Sequence, residues 1–212
     1  MDDLKKLQPI HLDVLKEIGN IGAGNAATSL SVLLNMTIDM SVPDVRVVPL
    51  QEIHEQIGGA DTEVAAIFLR IEGQVTGSMY FITNIDDIEK MIRRLTKNDQ
   101  FQLKDPPYDE MGISAFLEVG NILAGSYLSS FSDFTKIDLQ PSVPGVSIDM
   151  AGAILSYGLI PLSEVGDLAI VIDTEIVEVD KERQKVSGHF FLLPDPGSFQ
   201  TIFNALGVHL NE

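Results

Sequence analysis

Residues 17–24 read Glu-Ile-Gly-Asn-Ile-Gly-Ala-Gly, and residues 118–125 read Glu-Val-Gly-Asn-Ile-Leu-Ala-Gly. Six of the eight positions are identical at an offset of 101. The same offset carries Ser41-Val42-Pro43 onto Ser142-Val143-Pro144, and Val45 onto Val146, so the correspondence runs over about 30 residues. A match of that length is an internal repeat. It continues with small shifts. Ala66-Ile-Phe-Leu69 resembles Ala169-Ile-Val-Ile172, and Gly77-Ser-Met-Tyr-Phe-Ile82 resembles Gly188-His-Phe-Phe-Leu-Leu193 at an offset of 111. The extra length reads as a charged hairpin tip at 178–185. Ile88, Met91 and Ile92 then match Phe199, Ile202 and Phe203 at helical spacing.

Each half therefore reads as a long helix, a strand near the Ser-Val-Pro, two longer strands and a shorter helix. Segments 64–72 and 74–83 follow one another across Gly73, which predicts antiparallel pairing. The fold class is α+β: an internally duplicated pseudo-two-fold domain with long helices packed on a largely antiparallel β-sheet. One domain over 1–212 is expected, built of repeats at about 8–97 and 110–207. The linker at 98–109 is centred on Pro106-Pro107.

On a helix over 10–34, one arc holds Leu15, Ile18, Gly22, Ala26, Leu30 and Leu33, which suits burial. The arc around Asn20 holds Asp13, Glu17, Gly24, Ala27, Thr28 and Ser31. In the second copy the corresponding arc holds Ser114, Glu118, Asn121, Gly125, Leu128, Ser129 and Ser132. Glu and Asn three apart point the same way from a helix. Here they are the long polar groups on a face stripped of bulk, twice in one chain. Glycine inside a helix costs about 1 kcal/mol relative to alanine, so Gly19, Gly22 and Gly24 need a reason: close packing or close approach of a partner.

Composition narrows the function. The 212 residues contain 14 Lys+Arg against 31 Asp+Glu, a net charge of −17, which opposes nucleic acid or an anionic membrane as the main partner. No cysteine is present, which excludes a disulfide framework, a thiol nucleophile and a zinc-thiolate site. The first residues show no apolar run fit for a signal peptide, and the apolar stretches at 64–69 and 150–155 are too short for a bilayer, so a cytoplasmic location is expected. His11, His54, His189 and His209 show no ligand spacing. Gly19-x-x-Gly22-x-Gly24 lacks the preceding strand and the spacing of a dinucleotide loop, and no Gly-x-Ser-x-Gly elbow occurs.

The two Glu-x-x-Asn motifs, each followed by a proline about 22 residues on (Pro43, Pro144), resemble the CheC/CheX/FliY phosphatases of bacterial and archaeal chemotaxis. The resemblance spans about 8–207, and the two intact motifs without an added flagellar-switch segment place it nearest the CheC branch. It implies hydrolysis of the aspartyl phosphate on the response regulator CheY, with Glu17 and Asn20 as one catalytic pair and Glu118 and Asn121 as another, both competent. It implies no cofactor or metal from this chain, since Mg²⁺ belongs to the phosphorylated regulator. It also implies a second partner, the receptor deamidase CheD.

The alternative is a non-catalytic adaptor that docks phosphorylated CheY or CheD and acts by occupancy. A monomer is expected, because the duplication already supplies pseudo-symmetry. For CheD, a strand over 146–153 is expected to expose Asp149. Alternation places Val146, Ile148 and Met150 on one side, and Ser147, Asp149 and Ala151 on the other.

Overall fold

A computed structural model describes residues 8–104, 106–159, 168–179, 185–195 and 197–207. The first half runs α1 (Pro9–Leu34), β1 (Ile38–Ser41), β2 (Val45–Pro49), a 3₁₀ helix (Leu50–Ile57), β3 (Glu63–Gly73), β4 (Gly77–Asn84) and α2 (Ile85–Thr96). The second runs α3 (Glu110–Thr135), β5 (Leu139–Pro141), β6 (Gly145–Met150), α4 (Ala151–Leu159), β7 (Leu168–Glu178), β8 (Lys185–Pro194) and α5 (Ser198–Ala205). The long helices match the repeat closely. Each has 26 residues, and each ends on a left-handed residue, Asn35 and Lys136, again 101 apart.

The eight strands among the described residues form one antiparallel sheet, in which the central pair is β4 against β8. Tyr80 pairs with Phe191, which is also its repeat equivalent, so the pseudo-two-fold axis passes between them. The short strands cross over. β1 and β2 of the first half pair with β7, whereas β5 and β6 of the second half pair with β3. Each half thus completes the other's edge. At the β3–β4 turn Gly73 has φ +118, and a Cβ there would stand 2.3 Å from the Asp138 carbonyl oxygen. That close approach lets β5 leave α3 and join β3.

The inner strands are apolar on both sides, the pattern expected when both faces are covered. Ile67, Phe81, Phe190 and Ile172 face α1 and α3, where Leu15, Ile18, Leu30, Phe116 and Leu123 complete the larger core. Ala66, Tyr80, Phe191 and Val171 face the opposite way, under the 3₁₀ helix and α4, with Ile53, Ile154 and Leu155. α3 is long and apolar enough to cross a membrane by composition, but ten of its residues, including Phe116, Val119 and Leu123, are buried within this fold.

The structure adjusts several expectations. A short strand stands on each side of the Ser-Val-Pro in both halves, and Ser41 itself ends β1. The short helices Leu50–Ile57 and α4 were not anticipated; they supply the cover for the second sheet face. The strand expected over 146–153 stops at Met150, and Ala151 starts α4, fully buried. Met150 is exposed at the end of β6, whereas Val146 and Ile148 are partly buried against the larger core. The linker is anchored by Phe101 and Leu103, both buried. The expected hairpin tip at 178–185 lies partly outside the described residues.

Candidate functional site

The long helices place the two motifs on solvent-facing stripes. In α1 the residues that turn inward are Leu15, Ile18, Gly19, Gly22, Ala23, Ala26, Ala27 and Leu30. Glu17 is left exposed and Asn20 half-buried beside it. In α3 the inward residues include Phe116, Val119, Gly120, Leu123 and Ala124, which leaves Glu118 and Asn121 exposed. Neither glutamate makes a hydrogen bond or ion pair among the described residues. Two residues expected on the bare arcs, Ala27 and Leu128, are buried instead, because each helix also packs sideways against the other.

The glycines divide into two classes. A Cβ on Gly19 would meet Val42 at 3.3 Å, one on Gly22 would meet the Tyr127 backbone at 3.0 Å, and one on Gly120 would meet Ile67 at 2.7 Å. These serve packing. A Cβ on Gly24 or Gly125 would meet nothing within 4 Å. Each follows its motif asparagine by four residues, on the same stripe. The fold gives no reason for a glycine at either place, and each weakens its helix. The surface beside both asparagines is therefore bare without internal need.

The two copies are not equivalent in detail. The Asn20 side chain donates from Nδ2 to the Lys16 carbonyl at 3.0 Å and accepts at Oδ1 from the Val42 amide at 3.0 Å. The Lys16 ammonium donates to the Pro43 carbonyl. Val42 is 2% exposed, whereas its repeat equivalent Val143 is 90% exposed. Asn121 makes no side-chain hydrogen bond among the described residues. The turn after β5 is tied elsewhere: the Arg70 amide donates to the Ser142 hydroxyl at 3.0 Å, and the Ser142 amide donates to the Arg70 carbonyl at 2.8 Å. The roles of Lys16 and Val42 were not read from the sequence, although the signal was present: Lys16 aligns with Leu117, which has no donor.

Asp149 lies far along the second half, on β6, which pairs only with β3 among the described residues. Its carboxylate accepts from the Met150 amide at 2.7 Å and is exposed. His189 sits beside Phe191 on the sheet and meets Asp173 at 2.7 Å, and Asp173 accepts two hydrogen bonds from Arg46 at 2.6 and 3.0 Å. Burial pushes the Asp173 carboxyl up, but His189 and Arg46 together outweigh it and bring it down to about 2. Among the described residues, no group of three or more His, Asp or Glu side chains is arranged to hold a metal.

The CheC-like family model matches residues 10–47 and 111–148, the two segments that carry the motifs and their Ser-Val-Pro turns. The chain is 49% identical to the CheY-P phosphatase CheC of Bacillus subtilis over 199 residues, which covers 94% of this chain and 95% of that one. It is 32% identical over 143 residues to the flagellar motor switch phosphatase FliY of the same organism, covering 66% of this chain and 36% of that longer protein. In fold it is similar to Thermotoga maritima FliY, with a TM-score of 0.75 and 20% identity over 95% of this chain and 98% of the other. Near-half identity along almost the whole length, with both motif segments matched, shows that the chain belongs to the CheC-like family.

Proposed function

We propose that the chain is a phosphatase that hydrolyses the aspartyl phosphate of the response regulator CheY. The observation that carries this reading is the stripe repeated on α1 and α3: an exposed glutamate, an asparagine three residues on, and a glycine four beyond it whose Cβ direction is empty. A surface of that shape admits another protein's backbone close to the asparagine. Its relative in Bacillus subtilis carries the same activity in its name.

The chemistry asks little acid–base work of the enzyme. An acyl phosphate is already prone to hydrolysis, and Mg²⁺, a lysine and a hydroxyl group come with the regulator. Positioning and electrostatics then carry the rate. The asparagine amide offers donors and acceptors that do not titrate near neutral pH. It holds a water in line with the scissile P–O bond, and the glutamate pairs with the regulator's lysine to fix the helix over the phosphoryl group. Glu17 with Asn20 and Glu118 with Asn121 are the proposed pairs. The same reading places the chain in the cytoplasm with its substrate.

Catalysis is separated from occupancy by counting turnovers. Phosphate release from phosphorylated CheY is measured with the protein in substoichiometric amount. Release of many phosphates per chain, lost in a folded Asn20→Ala/Asn121→Ala double variant, is expected. A strict one-to-one effect would make the chain an adaptor. A contact with CheD belongs to the same reading, at Asp149 on the open edge of β6. A folded, active Asp149→Lys protein that still captures CheD would place that contact elsewhere.

A further inference from the structure

We propose that Lys16 is a positioning residue that straps the Val42-Pro43 turn over Asn20 and holds the amide of the first site out of use until the strap releases, an arrangement that the described residues of the second half do not repeat. The inference rests on the phosphatase reading for its kinetic consequence, but the strap itself is a matter of geometry.

Three contacts build it. The Lys16 ammonium donates to the Pro43 carbonyl. The Val42 amide donates to Asn20 Oδ1 at 3.0 Å. The Val42 side chain lies against the place a Gly19 Cβ would occupy, 3.3 Å away, and is 2% exposed. Val42 falls between β1 and β2, outside the ladder with β7, so Asn20 is the acceptor that satisfies its amide. Asn20 Nδ2 is meanwhile turned back along the helix to the Lys16 carbonyl. One donor and one acceptor of the amide are therefore committed to the chain itself, and the group is half-buried. With one lone pair of Oδ1 held by the Val42 amide and Nδ2 turned back to the Lys16 carbonyl, the orientation of the amide is set by the chain and not by an attacking water.

The second half differs where the strap would start. Leu117 stands at the position of Lys16 and has no donor. Ser142 binds β3 through Arg70, Val143 is 90% exposed, and Asn121 remains open to solvent. A lysine in one helix and a leucine at the matching place in the other thus mark a strapped site and an open one. Glu17 stays exposed in the strapped state, so docking is available while the amide is withheld, and release of the strap acts on kcat rather than KM.

Amide hydrogen exchange and single-site turnover test this together. In the unaltered protein the Val42 amide is expected to exchange at least tenfold more slowly than the Val143 amide. In an Asn121→Ala background, where the first site alone reports, Lys16→Met keeps the aliphatic stem and removes the ammonium. It is expected to speed Val42 exchange and to raise kcat severalfold with KM little changed. Lys16→Arg keeps a cation within reach of Pro43 and is expected to hold both values near those of the background. Equal exchange at Val42 and Val143 would overturn the strap. Faster Val42 exchange with kcat unchanged or lowered would show that the strap does not withhold the amide. Absence of turnover in the unaltered protein would count against the phosphatase reading and leave the exchange comparison intact.

Discussion

Replacing Gly125 by alanine in the second site separates packing from partner approach, because the two effects have opposite signs. Gly125 is inside α3, and an added Cβ meets no heavy atom within 4 Å, so no clash opposes the change. Alanine is favoured over glycine in a helix interior by about 1 kcal/mol. For a chain of this size that raises the melting temperature by about 2–4 °C. The methyl group then stands on the stripe beside Asn121, where the regulator's backbone is required to approach. A displacement of about 1 Å in the docked helix is enough to lower a positioned reaction roughly 100-fold. The assay is phosphate release from phosphorylated CheY in an Asn20→Ala background, beside a thermal melt of the same protein. The expected variant is more stable and at least tenfold slower. A melting gain with full turnover would show that the bare surface serves no docking role. A melting loss would refute the account of the space around Gly125.

Gly22→Ala provides the contrast: its Cβ would lie 3.0 Å from the Tyr127 backbone, so α1 and α3 must separate, and a loss of about 1–3 kcal/mol is expected in chemical denaturation. Glu118→Gln replaces a charged hydrogen bond by a neutral one and is expected to weaken the complex with phosphorylated CheY in a binding titration, less so at high salt; unchanged affinity would remove the proposed lysine partner. Asp173 has its pKa lowered from 3.8 to about 2, so its contribution to stability is complete above pH 4 and is lost as the pH falls through about 2. Asp173→Asn is therefore expected to cost about 2 kcal/mol at neutral pH, with the gap to the unaltered protein closing as denaturation is repeated from pH 4 down to pH 2.

The offset of 101 fixes a great deal before any coordinate is known. Two helices of equal length, their matched ends and the Glu-x-x-Asn stripes all follow from periodicity and repetition, because a helix shows its buried and exposed faces directly in residue order. The hairpins β3–β4 and β7–β8 follow for the same reason, as local pairs of apolar runs across short connections. The short helices at Leu50–Ile57 and Ala151–Leu159 are illegible at this level, since eight or nine residues are too few for a helical period to stand out from a strand or a turn.

Pairing partners are a non-local matter. Nothing in the order of residues says that β1 and β2 join β7 while β5 and β6 join β3, because that choice depends on which edge the other half leaves open. The difference between Gly22, which has Tyr127 against it, and Gly24, which has nothing, is likewise a property of packing. The duplication, the helical stripes and the placing of Glu17, Asn20, Glu118 and Asn121 on them are legible in residue order, since these are local and periodic. That Asn20 is bound by the Val42 amide while Asn121 is open is a matter of packing, since that hydrogen bond joins groups 22 residues apart through a turn that a lysine ties in one half and a leucine cannot tie in the other.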